Sequence, residues 1–559
     1  MNFRNVYQLF REQTERYGPE PVFHTRAGDG WSSTTWRQFE DDVHAAACGL
    51  RALGLEAGDG VSILAGNAPE WPVMDLAAIA AGGVGVGIYP TSSPEQCEYI
   101  IGHSESGIVF VDTHLQFKKI KALPMPNVRA VIVGSGGEDL AEGTDDGTRV
   151  LGYRSLLELG EENRTRLLAD IEKGAMEKGL EDIAIMVYTS GTTGVPKGVM
   201  LSHRYILNSC ESLRRSVPIF HDDVCFSYLP FCHVAERISG LYNRLYNGTA
   251  AYFVDDLSRL YEYMLEVRPT VFASLPRFFE KIYAKVISEH GADASPEDVV
   301  AAFGGRARLL TSGGAPLPLD VAELFARSGI PILQAYGLTE NICVAFNRAD
   351  DNKFGTVGKP MPMCEVRIAD DGEILVNSEM MFSGYFKDPA ATREMFDEEG
   401  WLKTGDLGSL DEDGFLSVTG RKKEIIVLSS GKNVAPALVE NLIKQNHMVS
   451  NVFLHGDERN YCVALITLNI AEAEAFCAAR GIEARGYRAV MNEPAVIESV
   501  AETVANANSK VSSSEQIKRY AILARDLSQE EGELTPTMKL KRDVVGKNFK
   551  AELDALYED

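Results

Sequence analysis

Residues 188–198 read Tyr-Thr-Ser-Gly-Thr-Thr-Gly-Val-Pro-Lys-Gly, and the rest of the chain is organised around this stretch. Gly191 and Gly194 let the main chain come close to a ligand, and successive N–H groups in such a loop form a nest for anions. Ser190, Thr192 and Thr193 add hydroxyl donors, and Lys197 adds a point charge. This is the chemistry of a loop closing over a polyphosphate. It is not a Walker A loop, which ends Gly-Lys-Ser/Thr so that a hydroxyl reaches magnesium; here Lys197 follows Pro196 and precedes Gly198. The plain alternative is a Ser/Thr/Gly surface loop. Upstream, residues 182–187 form an apolar run of strand length. Downstream, Val199 to Leu207 is helix-compatible. A strand feeding a phosphate loop is a common α/β layout.

The chain of 559 residues is long enough for one large and one small domain, and 45% hydrophobic residues allow a sizeable core. A net charge of −25 disfavours non-specific binding to nucleic acid or anionic lipid. Nine cysteines without a CxxC spacing argue against zinc or redox motifs and fit a reducing cytoplasm. The N-terminal residues have no apolar signal core.

Residues 1 to about 60 read as helical, with Trp36 opening an amphipathic helix through Leu53. Strand-like runs at 61–64, 84–89, 109–112 and 130–133 alternate with helical spacing, which predicts a parallel sheet. Gly83, Gly85 and Gly87 do not form GxGxxG and read as close packing.

Four further stretches carry polar groups at strand ends. Leu229-Pro230 and His233-Val234-Ala235-Glu236-Arg237 give the form LPxxHxxER. Taken alone, His233 reads as structural. Gly313-Gly314-Ala315 closes one strand; Gln334-Ala335-Tyr336-Gly337-Leu338-Thr339-Glu340 closes another. A flat Tyr336 facing small residues suits a slot for a planar base. Thr339 offers a hydroxyl to phosphate, and Glu340 a hard oxygen for magnesium. Asp406, in Thr404-Gly405-Asp406, can accept hydrogen bonds from two ribose hydroxyls.

Together these motifs closely resemble the acyl-adenylate-forming superfamily of acyl-CoA synthetases, peptide-synthetase adenylation domains and luciferases. LPxxHxxER resembles the long-chain fatty acyl-CoA synthetases in particular. The resemblance implies a large N-terminal α/β domain of mixed and parallel sheets with packed helices, 1–419, and a small mobile C-terminal α+β domain, 420–559. It implies activation of a fatty acid by ATP to acyl-AMP, followed by transfer to coenzyme A. ATP would be bound by Thr189, Ser190, Gly191, Thr192, Thr193, Gly194, Lys197, Gly313, Gly314, Ala315, Gln334, Ala335, Tyr336, Gly337, Thr339, Asp406 and Arg421. Mg2+ would be held by Thr189 and Glu340. His233 would lie near the acyl carboxylate, with Thr339 and Glu340 in the catalytic set. Lys423 would be the hinge, and Ser429 to Asn433 the loop used in the thioester step. The catalytic lysine maps to Lys539, the first after Pro536-Thr537, with Lys541 the alternative; many members have Gly where this chain has Met538. Two other functions stand beside this one: loading an acyl or aryl acid onto a carrier protein, and regulation by a non-catalytic nucleotide site. Nucleic acid is not an expected partner. Peripheral membrane contact and a homodimer are left open, and the expected compartment is the cytoplasm.

Overall fold

The computed structural model describes residues 3–136, 143–145, 147–189, 195–291, 293–315, 317–535 and 538–558. The chain gathers into two compact units. The first comprises Met1–Val366 and Val376–Leu402, the second Arg367–Leu375 and Lys403–Asp559. The boundary expected at 419/420 falls within the strand Leu416–Arg421 of the second unit.

The first unit contains two large sheets. One runs in the order Lys197–Ser202, Ile183–Thr189, Val84–Ile88, Gly60–Leu64, Ser106–Thr113, Ala130–Gly136, Thr148–Gly152, Gly143–Asp145. Its central pairs are parallel and its two edge pairs antiparallel. Gly60–Leu64 and Val84–Ile88 are buried along their whole length, as parallel strands covered on both faces are. The alternating glycines are close packing: a Cβ on Gly85 would lie 2.1 Å from an Asp75 carboxylate oxygen, and one on Gly87 2.7 Å from the Cα of Cys232. The second sheet is centred on the parallel strands Cys225–Ser227, Val271–Ser274, Leu309–Gly313 and Ile332–Leu338. Helix Trp36–Ala52, opened by a reciprocal Thr35–Gln38 capping box, packs on helix Tyr153–Glu177.

Two sequence expectations are corrected. Residues 21–35 are not helical but an antiparallel hairpin, Pro21–Ala27 with Gly30–Thr35; Gly28, at φ +59°, permits its tight turn. The segment after the phosphate loop is first a strand. Lys197–Ser202 pairs with Ile183–Thr189, and helix His203–Ser216 starts only after the Ser202 cap. Val199 and Leu201 are fully buried on that strand, which outweighs their helix compatibility.

In the second unit, Val449–His455, Cys462–Leu468 and Ile517–Ile522 form a mixed sheet. Helices Pro436–Lys444 and Pro494–Ser509 share its apolar core. The chain thus has the expected large α/β domain and smaller C-terminal α+β domain. Among the described residues no helix is long and apolar enough to cross a membrane.

Candidate active site

Thr189 and Lys197, which flank the candidate phosphate-binding stretch, are register partners on two antiparallel strands. Ser190, Gly191, Thr192, Thr193 and Gly194 lie outside the described residues. The second of these strands is clamped from the side by residues 383–386. Met200 donates to the Gly384 carbonyl at 3.0 Å, and Phe386 to the Gly198 carbonyl at 2.8 Å. Tyr385 joins this edge and does two things at once. Its ring lies 4.8 Å from the Lys197 Nζ, and its hydroxyl donates to Glu340 Oε1 at 2.6 Å. Burial, and then the Glu340 charge, push that hydroxyl far above the ordinary tyrosine range, so it remains a donor. Lys197 and Glu340, far apart in sequence, thereby meet on one tyrosine.

The turn carrying Thr339 and Glu340 is fixed from beneath. The fully buried Tyr205 donates to the Thr339 carbonyl at 2.9 Å and accepts from the Ile342 N–H at 3.0 Å. Gly337 is needed there, because a Cβ would fall 1.9 Å from the Ile342 carbonyl oxygen. The two strand ends expected to frame a base are neighbours, with Ser312 opposite Gln334 and Gly313 opposite Ala335. Gly314 (φ +80°) and Ala315 follow at the exposed turn, and Tyr336 is half-buried. The Gln334 side-chain oxygen accepts from the Leu317 N–H at 3.2 Å, which closes this turn. His233 is half-buried at the start of a π-helix, Ala235–Tyr242. Its Nδ1 accepts the Ala235 N–H at 3.2 Å, so a neutral ring carries its proton on Nε2.

In the second unit, buried Asp406 stands opposite Arg421 on paired strands, and Arg421 Nε meets Asp406 Oδ1 at 3.0 Å. Lys539 sits on a tight turn. Thr535 donates its N–H to the Lys539 carbonyl at 2.8 Å, and the Thr535 hydroxyl oxygen accepts the Lys539 N–H at 3.0 Å. Pro536 and Thr537 lie outside the described residues. Met538 has φ +61°, the left-handed region where glycine is relaxed. That explains physically why glycine suits this position. The turn is anchored by the fully buried Glu533, which accepts from Arg525 at 2.6 and 2.7 Å and from Asn548 at 3.1 Å. Lys539 is solvent-accessible, yet surrounding protein and then Arg421 hold its ammonium below the ordinary lysine range, against Asp406 and Glu424. These opposing charges bring Lys539, Asp406 and Arg421 into one electrostatic cluster. Lys423 is exposed on a short turn whose neighbours are tied down, Lys422 to Glu373 at 2.7 Å and Glu424 to Arg542 at 3.4 Å.

Sequence reasoning does not reach Tyr385, Tyr205, Glu533 or the Asp75 partner of Arg237. The Ser383-Gly384-Tyr385-Phe386 run was the one local signal for the first of them.

A magnesium ion fits this donor set. Glu340 is a buried carboxylate with one oxygen already oriented by Tyr385. Magnesium binds through one or two carboxylates plus substrate phosphates and water. Among the described residues there is no cluster of three or more His, Cys, Asp or Glu that could form an all-protein cage, and none is needed for an ion of this kind.

Residues 10–386 match the family described as AMP-binding enzyme, and residues 423–559 match the AMP-binding enzyme C-terminal domain. The chain belongs to this acyl-adenylate-forming family and is related to acyl-CoA synthetases. It is 35% identical to the long-chain-fatty-acid–CoA ligase FadD15 of Mycobacterium bovis, over 97% of this chain and 95% of that protein. It is 30% identical to the long-chain-fatty-acid–CoA ligase ACSBG2 of Xenopus laevis, over 99% of this chain and 84% of that protein. The fold is shared with the anthranilate CoA ligase AuaEII in complex with anthranoyl-AMP, at TM-score 0.76 and 20% identity, covering 98% of each chain. It is also shared with the adenylation domain of a carboxylate reductase of Mycobacterium chelonae, at TM-score 0.78 and 22% identity, covering 100% of this chain and 92% of that one.

Proposed function

We propose that this enzyme activates a long-chain fatty acid with ATP and transfers the acyl group to coenzyme A, releasing pyrophosphate and AMP. The observation that carries the acid and the acceptor is its full-length likeness to long-chain-fatty-acid–CoA ligases, 97% of this chain against 95% of the M. bovis protein. A thiol cannot displace oxide from a carboxylate, so AMP must first become the leaving group. The fatty carboxylate attacks the α-phosphorus in line, a P–O bond forms, and the bond to pyrophosphate breaks. Lys197 and the loop hydroxyls take the departing phosphates. Tyr336 stacks on the base, and Asp406 with Arg421 takes the ribose. The His233 Nε2–H donates to an acyl oxygen. Lys539 stabilises charge growing on carboxylate and phosphate, an electrostatic effect worth about 10²–10³ in rate. Mg2+, held by Glu340 beside Thr189, would neutralise phosphate charge.

In the second step the small domain turns about Lys423, Lys539 leaves, and the CoA thiol attacks the mixed anhydride with AMP as leaving group. No enzyme nucleophile is needed, and all nine cysteines are buried. Those buried free thiols suit a reducing compartment, and we assign the enzyme to the cytoplasm. The test is pyrophosphate release across acids from acetate to oleate, with CoA or a phosphopantetheinylated carrier as acceptor. Release with long-chain acids and thioester formation on CoA are expected. Turnover on the carrier alone would replace this reading with carrier loading, and ATP binding without any release would leave a regulator.

A further inference from the structure

A second charged cluster lies wholly inside the first unit, and the chemistry above makes no use of it. Arg237 and Asp75 are both fully buried. Arg237 Nε donates to Asp75 Oδ2 at 3.1 Å, a second guanidinium nitrogen donates to Oδ1, and a third contacts the Met186 carbonyl at 3.3 Å. The Tyr242 hydroxyl donates to the same Asp75 carboxylate at 2.7 Å, and the Trp71 ring centroid lies 4.9 Å from the guanidinium carbon. In an α-helix, residues five apart point about 140° away from each other. The i→i+5 pattern of the π-helix brings Arg237 and Tyr242 onto one carboxylate instead. The adjacent Glu236 is matched in the same way, accepting from Ser227 at 2.8 Å and Arg244 at 2.7 Å. Gly240 leaves room for it, since a Cβ there would lie 2.7 Å from the Glu236 carboxyl carbon.

Two of the joined segments run directly into the site. The Arg237 N–H donates to the His233 carbonyl at 3.0 Å. Met186 lies on the strand Ile183–Thr189, just ahead of the phosphate loop. Resting on the function proposed above, we propose that Arg237 is a positioning residue. Through Asp75 and Met186 it fixes the His233 turn, where the acyl carboxylate binds, relative to the strand that carries the phosphate loop. In-line attack across those two half-sites depends on this spacing. An apolar plug would fill the same space without the directional contacts that set it.

The test uses Arg237→Lys, which keeps the charge but loses the fork, and Tyr242→Phe, which keeps the ring but loses one donor. Each full-length variant is titrated with AMP, with palmitate and with a non-hydrolysable palmitoyl-adenylate mimic, and its melting temperature is recorded. Positioning predicts that kcat for pyrophosphate exchange falls about tenfold in Arg237→Lys and about threefold in Tyr242→Phe while the KM for ATP holds, because only the in-line step uses the His233 turn and the phosphate loop together. AMP, palmitate and the mimic, which carries no departing phosphates, should each stay within about twofold. An unchanged kcat, or losses of affinity for all three ligands as large as the loss in kcat per folded molecule, would overturn the proposal. If Arg237→Lys does not fold, Tyr242→Phe decides by the same criterion. A wild-type enzyme that neither binds the mimic nor exchanges pyrophosphate would overturn the functional reading itself, and this proposal with it.

Discussion

The molecule uses an Asp–Arg pair twice, in opposite ways. Asp75 and Arg237 are sealed from water, and each meets further partners: Tyr242 for the acid, Met186 and Trp71 for the base. Asp406 and Arg421 also pair, but the Arg421 side chain is 48% exposed and a solvent-accessible lysine shares the cluster. The first pair has exchanged all its water for protein and is committed to one geometry. The second retains water on its basic side. Residue type does not distinguish them; burial does.

The largest effect that could break this contrast is on stability. Asp75→Ala strands a buried guanidinium and should cost about 3–5 kcal/mol. Asp406→Ala leaves Arg421 to the solvent and should cost less than about 1 kcal/mol. Urea unfolding of the two variants measures both, and similar losses would erase the distinction. Next in size, Tyr385→Phe removes the donor to the buried Glu340 oxygen and should destabilise by about 1–3 kcal/mol. It should also raise the KM for Mg·ATP severalfold in exchange assays.

A smaller effect has the opposite sign. Lys539 is held below the ordinary value of 10.5, so its charged form is disfavoured on folding. The penalty is fully present below the folded pKa and is relieved as pH rises through it toward 10.5. Lys539→Met should therefore melt slightly above wild type at neutral pH while losing activity, and the gap in melting temperature should close in alkali. Smallest is Glu211, lowered from 4.5 to about 2, first by its hydrogen bond to Arg214. A depressed carboxylate stabilises above its unfolded value, and that stability is lost as pH falls from 4.5 toward 2. Glu211→Gln should lie just below wild type in stability at pH 6 and converge with it in acid.

What the sequence made legible was contiguous. The stretch at 188–198, the strand end at 334–340 and the Thr404-Gly405-Asp406 turn each hold their candidate residues within a few positions. What it hid was distant: Asp75 meets Arg237 across 162 positions, and Tyr385 meets Glu340 across 45. Such pairs leave no periodicity to read. Local ambiguity hid the rest. A run of Val199, Met200 and Leu201 suits helix or strand equally until a partner edge is known. The hairpin at 21–35 lay inside a segment read for its helical neighbour. The motif points to Lys539 or Lys541 but says nothing of their company, since only folding sets Lys539 near Arg421 and Asp406.

On the proposed function, Lys539 serves only the half of the reaction that forms the mixed anhydride. The most direct measurement compares Lys539→Ala with wild type in the two half-reactions separately. Pyrophosphate exchange should fall by about 10²-fold or more, while thioester formation from supplied palmitoyl-AMP and CoA should stay near wild type. Equal loss in both, or the same pattern in Lys541→Ala but not in Lys539→Ala, would contradict the account.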